Sequence, residues 1–339
     1  MGGLLFPGVT RRYNKDEYFE ITERIYRKLS NLDDGFKGSL ALVRAFGAKS
    51  SFGDADFCLE SLSDERVSDT IKRLFNPEKI IQNGNIYSFP VEELQVDLVI
   101  TKPKYFESST FYYSDSPSGN AVGKLAHFLA VSFGFDGLYY TLRDDANTYK
   151  LGKIQISTDM SKICEFFGLD YQKKMTGFQE EKDIFDWIVS SKYFDARLFS
   201  FEAMNHRSRI RDLKHPDYHR LLEYVNKSHK EKIFERLDRK SNLIIIDEYF
   251  KEANLLGKIS ELQESHRRNC ELSAKFNGNT IMEATLLRGK ELGAVLGAYK
   301  QGKDWFNFLE SNTESDIRLD FMKFYNSMVI SKKIETDQK

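Results

Sequence analysis

At 339 residues, 41% of them hydrophobic and 30% charged, the chain is long enough for two domains with ordinary apolar cores. A formal net charge of −1 excludes a globally basic nucleic-acid binder, so any such contact needs a local basic patch. Three widely separated cysteines, Cys58, Cys164 and Cys270, exclude a disulfide framework and a zinc knuckle, and no apolar run reaches the roughly 18 residues of a membrane helix. Residues 1–10 lack signal-peptide patterning, so no membrane contact and cytoplasmic residence are expected.

In chain order, Tyr18, Ile21, Ile25, Tyr26 and Leu29 form an apolar stripe that predicts a helix over 15–29, and turn residues fill 32–38. A buried strand is expected over 39–46, then a loop over 47–53 and a second strand over 54–60. Ser63 is a candidate N-cap for a helix reaching Leu74, stopped by Asn76-Pro77. Asn83-Gly84 predicts a hairpin between 79–82 and 85–89, with Pro90 ending its second strand. A strand over 93–100 follows, then a helix over 121–133 and a strand pair, 137–141 with 149–156. From Thr158 the pattern turns helical, with a tail from Ser331. The expected architecture is α+β: a small mixed sheet in a domain spanning 1–157, a mainly helical domain over 158–330, and a flexible tail over 331–339.

The chemistry concentrates in two of the strands. Residues of a strand alternate faces, so Ala55, Phe57 and Leu59 share one side and Asp54 and Asp56 the other. In the later strand Leu94, Val96, Leu98 and Ile100 share a face opposite Asp97. Three carboxylates on adjacent strands suit Mg²⁺ or Mn²⁺, which take hard oxygen ligands from one or two carboxylates, water and phosphate. Two such ions bring an attacking hydroxyl in line with an α-phosphate and neutralise charge on leaving pyrophosphate. Asp54 and Asp56 are then metal ligands, and Asp97 binds metal beside the acceptor hydroxyl. Ahead of them, Gly47 and Gly53 allow close backbone approach, Ser50 and Ser51 offer hydroxyls, and Lys49 offers a point charge, which together make a nucleotide-binding loop.

On Gly47-Ala48, the Asp54-x-Asp56 pair and Asp97 in its apolar strand, residues 1–150 resemble the nucleotidyltransferase superfamily typified by DNA polymerase beta, poly(A) polymerases and CCA-adding enzymes. Those families place a glycine-serine pair before the acidic pair, where this chain has Ala48. Gly38-Ser39 keeps the dipeptide, fourteen residues ahead of Asp54, and is an alternative phosphate loop. The run Ala45-Phe46-Gly47-Ala48-Lys49-Ser50-Ser51-Phe52-Gly53-Asp54-Ala55-Asp56 is also similar to nucleotidyltransferases of large bacteriophages. The segment from Phe276 to Gly297 is similar to a helical stretch of bacterial CCA-adding and poly(A)-adding enzymes, but its glycines equally suit helix turns and close packing. No Glu-Asp-x-x-Arg element for reading the incoming base is present. The resemblance implies transfer of a nucleoside monophosphate from an NTP such as ATP to a hydroxyl, with RNA 3′ ends favoured over DNA. A protein or small-molecule acceptor, or an inert nucleic-acid binder with this fold, are the alternatives.

Other features read as structural. His215 and His219 invite a metal site with His206, yet Pro216 puts His215 at a helix start. Asp144-Asp145 suits turn capping, Tyr139 or Tyr140 is a conceivable base-stacking platform, and the basic run over 205–240 reads as a solvated face.

Overall fold

A computed structural model describes residues 3–30, 38–61, 66–200, 206, 209–210, 215–235 and 237–337, with side chains through 330. The expected cap at Ser63, most of the 32–38 turn, and Asn205, Arg207, Arg211, Lys214 and Arg236 of the basic run lie outside those residues. The fold is α+β. The chain forms two compact units, 1–256 and 257–339. The last strand ends at Ser157, so strands give way to helices where the sequence indicates, although helices up to Leu256 belong to the same compact unit as the sheets.

The central sheet has five strands: β2 (Leu40–Leu42), β4 (Asp54–Glu60), β5 (Ile81–Asn83), β6 (Ile86–Val91) and β7 (Leu94–Thr101), in the order β2-β4-β7-β6-β5. Only β4 and β7 run parallel, in a register that pairs Asp54 with Gln95 and Asp56 with Asp97. Two short strands, β1 (Tyr13–Asn14) and β3 (Ser51–Phe52), form a separate ribbon. Strands β8 (Ser132–Gly134), β9 (Gly137–Arg143) and β10 (Lys150–Ser157) make a third, antiparallel sheet.

One face of the central sheet carries the core. Ala55, Phe57, Leu59, Val96, Leu98 and Ile100 pack with Tyr18, Ile21, Ile25 and Leu29 of α1 (Lys15–Ser30) and with Val67 and Ile71 of α2 (Val67–Phe75). The opposite face is covered at one end by α3 (Phe106–Tyr113), whose Thr110 bonds the Cys58 thiol and whose Ser109 donates to the Thr101 hydroxyl at 3.1 Å. Burial pushes the Cys58 thiol up to about 12, so it is a packing group and not a nucleophile. The other end of that face stays open, and the carboxylates lie there.

Several local expectations differ from the structure. The strand expected over 39–46 is only Leu40–Leu42: the Val43 amide still donates to Asp56, but at Arg44 the chain turns to another element, its carbonyl accepting from the Asp115 amide. Pro90 does not end its strand: β5 pairs only as far as Ser88, so beyond it β6 has a neighbour on one side and no donor is missed. The β6–β7 hairpin turns on Glu92 and Glu93, both at positive φ, a geometry usually signalled by Asn-Gly. The helix expected over 121–133 is α4 (Ser118–Phe128), with Phe133 already in β8.

After α4, unit one continues with α5 (Met160–Phe167), α6 (Tyr171–Thr176), α7 (Glu181–Val189), α8 (Pro216–Ser228) and α9 (Arg239–Tyr249). The second unit gathers Phe276, Ile281, Val295, Tyr299, Leu309, Ile317 and Phe321 into its own core. Its last helix, Glu314–Asp337, runs through the stretch read as a tail, where no Gly or Pro interrupts it. Among the described residues no helix is long and apolar enough to cross a membrane.

Candidate active site

The parallel register sets Asp56 directly beside Asp97, on strands about 4.8 Å apart, with Asp54 two residues away on the same face. Their neighbours on the other face, Ala55, Phe57, Val96 and Leu98, are at most 2% exposed, which fixes the register and aims the carboxylates away from the core. Asp97 is held from two sides: the Gln95 amide donates to both its oxygens at 3.0 and 3.2 Å, and Ser88 on the neighbouring strand adds a hydrogen bond.

All three carboxyls are pushed above the ordinary carboxylate range, first by burial. For Asp56 the charges of Asp54 and Asp97 add to the effect, and its value is raised the most strongly. Lys49 opposes the shift at Asp54 and Asp56, Arg12 opposes it at Asp54, and the Ser88 and Gln95 hydrogen bonds oppose it at Asp97. The cluster therefore carries more negative charge than its protein surroundings compensate.

A cleft of about 790 Å³ opens over this end of the sheet. Asp54 and Asp56 line it together with Ala48, Lys49, Ser50 and Ser51. Gly47 is not among the lining residues, and its part differs from the one its type suggests: a Cβ there would meet the Gln179 side chain, so its close approach is to protein. The Gly47 and Ala48 amides donate to the carbonyls of Phe178 and Gln179, both at 2.8 Å, and the Lys49 amide to Phe46 at 3.1 Å. The loop's side-chain capacity for phosphate is in the Lys49 ammonium and the Ser50 and Ser51 hydroxyls.

Gly38-Ser39 lies elsewhere. The Glu60 amide donates to Ser39, and a Cβ on Gly38 would collide with the Glu60 carbonyl. Glu60 ends the strand that Asp54 begins, roughly 20 Å away at 3.3 Å per residue. Gly38-Ser39 is thus no part of the cleft.

Sequence reasoning did not single out several cleft residues, among them Arg12, Arg44, Tyr113 and Arg220. Arg44 bonds the buried Asp115 at 2.7 Å and the Met175 carbonyl at 2.8 Å, and Lys174 donates to the Ser114 carbonyl and the Ser118 hydroxyl, both at 2.6 Å. This braces the loop after β2 against α6. Arg220 makes a two-pronged pair with Glu181, each bond 2.6 Å. The basic character of the 205–240 run hinted at Arg220 only as one cation among many.

The remaining candidates fall into structural roles. His215 is the cap residue before Pro216 and reaches the cleft wall, His206 is exposed, and the three histidines form no metal-holding group. Asp144 accepts from the amides of Thr148 and Tyr149 at 2.6 and 2.8 Å, as a turn cap does. Tyr140 accepts from Arg239 at 2.5 Å and Tyr139 lies under Lys153, neither of them lining the cleft.

Among the described residues no three carboxylate, imidazole or thiol groups converge closely enough to enclose an ion by themselves. The donor chemistry nevertheless fits Mg²⁺, which usually takes one or two carboxylates and completes its octahedron with water and substrate oxygens. Asp54 and Asp56 face open cleft volume and carry uncompensated charge. No protein-family profile matches the chain, and no curated protein sequence matches it.

Proposed function

We propose that the protein is a metal-dependent nucleotidyltransferase of the polymerase-beta type, which moves a nucleoside monophosphate from an NTP to a hydroxyl, most favourably the 3′ end of RNA or DNA. The observation that carries the reading is the parallel pairing of β4 and β7, which unites Asp54, Asp56 and Asp97 beside a loop bearing Lys49, Ser50 and Ser51. Two divalent ions, held by Asp54 and Asp56 with Asp97 on the second, would supply charge neutralisation at the α-phosphate and on the pyrophosphate.

The protein's own groups have distinct tasks. Lys49, Ser50 and Ser51 bind and orient the triphosphate so that its α-phosphorus faces Asp97. The acceptor oxygen bonds to that phosphorus as the bond to the bridging oxygen breaks, and pyrophosphate leaves with the electron pair. Asp97 orients the acceptor hydroxyl, and the divalent ion it would help hold would lower that hydroxyl's pKa, so that the proton passes to water as the new bond forms. Gln95 and Ser88 keep the Asp97 oxygens aimed. Positioning and charge stabilisation then account for most of the rate.

The test is transfer of label from α-labelled NTPs to RNA or DNA with Mg²⁺ or Mn²⁺. Asp54→Ala and Asp97→Ala should each abolish transfer while thermal unfolding remains cooperative. Undiminished transfer by both variants overturns the reading.

A further inference from the structure

Four cations reach the cleft, and their partners differ. Arg44 is consumed by Asp115 and the carbonyls of Lys174 and Met175, and Arg220 by Glu181. Lys49 makes no ion pair among the described residues and stands 4.9 Å over the Phe52 ring. Among the described residues Arg12 likewise has no carboxylate partner. Its Nε donates to the Ser51 hydroxyl at 2.8 Å and its Nη2 to the Ser51 carbonyl at 2.9 Å. A guanidinium has five N–H groups, so with two used by Ser51, three are left for a ligand in the cleft that Arg12 lines.

The backbone around Arg12 is fixed on both sides. Tyr13 and Asn14 pair with Phe52 and Ser51 in the β1–β3 ribbon, Lys15 donates to the Gly47 carbonyl at 2.7 Å, and Arg11 is tied to Glu17 and Glu93. Residues 11–15 thus form a strap over the loop 47–52, with Arg12 as its one cation directed into the cleft. Arg12 also lies toward the outer end of the acidic cluster: it is bonded to Ser51, three residues before Asp54 and five before Asp56. Asp97, where the acceptor attacks in the proposed reaction, is farther along.

We infer that Arg12 is a specificity-determining ligand for the terminal phosphates of the NTP, grasping the β- and γ-phosphates while the α-phosphate lies toward Asp56 and Asp97. The inference rests on the nucleotidyltransferase reading and adds to it the residue that distinguishes a triphosphate from a monophosphate. A planar fork already oriented by Ser51 loses little freedom when it meets phosphate oxygens, and such charge-assisted pairs are among the strong ones.

The experiment is equilibrium binding of α,β-methylene ATP, ADP and AMP to the full-length protein with Mg²⁺, for wild type, Arg12→Gln and Arg12→Lys, with thermal unfolding measured alongside. Arg12→Gln should weaken the triphosphate analogue about 10- to 100-fold and AMP less than about 2-fold. Arg12→Lys should fall between them, since it keeps the charge and loses the fork. In turnover the change should appear in KM more than in kcat. Equal weakening of triphosphate and AMP, or no weakening, overturns the role of Arg12, the first because it would mark a merely structural loss at Ser51. Failure of wild type itself to bind the triphosphate overturns the parent reading, and the role of Arg12 falls with it.

Discussion

The brace behind the cleft makes a quantitative prediction about pH. Lys174 is 1% exposed, and its ammonium donates to Ser114, Ser118 and, at 3.3 Å, Asp115. Burial is the largest influence and draws its pKa down to about 8, although Asp115 opposes the shift. In the unfolded chain a lysine titrates near about 10.4. Between those values the unfolded state binds more protons than the folded one, so this group's contribution makes stability rise with pH across that window. Below about pH 8 Lys174 is charged in both states, and its burial costs the folded protein the full amount. A difference of roughly 2 pKa units is about 3 kcal/mol. Lys174→Met removes the titration and leaves Asp115 with Arg44 as its counter-charge. Urea unfolding of both proteins, at intervals from pH 7 to 10, should show wild type gaining on the variant by about 2–3 kcal/mol as pH rises. The phenols of Tyr18 and Tyr113, also held above their usual range by burial, lower stability at still higher pH, but they act on both proteins and cancel in the difference. A difference that stays level across the range refutes the argument.

Two further outcomes concern the carboxylates and the loop. Because the folded Asp56 carboxyl is raised, its stabilising contribution is present below about pH 4 and is lost as pH rises through the folded value, so metal-free protein at pH 7 carries a penalty there. Asp56→Asn should therefore raise stability by about 1–2 kcal/mol in chelator and lose the further gain that Mg²⁺ gives wild type, and thermal unfolding with and without Mg²⁺ checks both. A variant less stable than wild type in chelator would contradict it. Gly38→Ala should cost about 1–3 kcal/mol through its collision with the Glu60 backbone and leave KM for NTP unchanged, whereas Ser50→Ala should raise KM with stability unchanged. A KM effect at Gly38 alone would restore the dipeptide as the phosphate loop.

How much of this was legible in the sequence depends on the range of the signal. Alternation within 54–60 and 94–100 put the three aspartates opposite an apolar face, since period two needs no knowledge of partners. That the two strands are neighbours was expected from their shared chemistry, but the parallel register that sets Asp56 opposite Asp97 was not legible, because it is fixed by the packing of everything between the strands. The helix α3 was missed for a local reason: Phe-Glu-Ser-Ser-Thr-Phe-Tyr-Tyr has aromatic and β-branched content and no clear apolar stripe. Gln95 was overlooked although it shares the face of Asp97. Arg12, Arg44 and Arg220 belong to segments far apart in sequence, so only folding brings them to one cleft. Gly38-Ser39 shows the opposite error, a familiar dipeptide whose glycine serves a close strand contact.

The arrangement of the acidic face also explains why so much of the first unit is devoted to holding it. Three half-buried carboxyls with raised pKa values oppose folding at neutral pH, and Lys49 and Arg12 offset only part of that. What keeps them together is the apolar side of the same two strands, where Phe57, Leu98 and their neighbours pack against α1 and α2. A one-residue slip of either strand would bury the acids in that core and expose the core residues to water, so the hydrophobic face dictates the position of every carboxylate. On the same logic the loop 47–52 is held by the protein itself: the amides of Gly47 and Ala48 bond residues 178–179, and just ahead of the loop Arg44 bonds Asp115. Under the proposed reading, the site is therefore set before substrate arrives, and the charge its fold tolerates is the charge that a divalent ion and a triphosphate would balance between them.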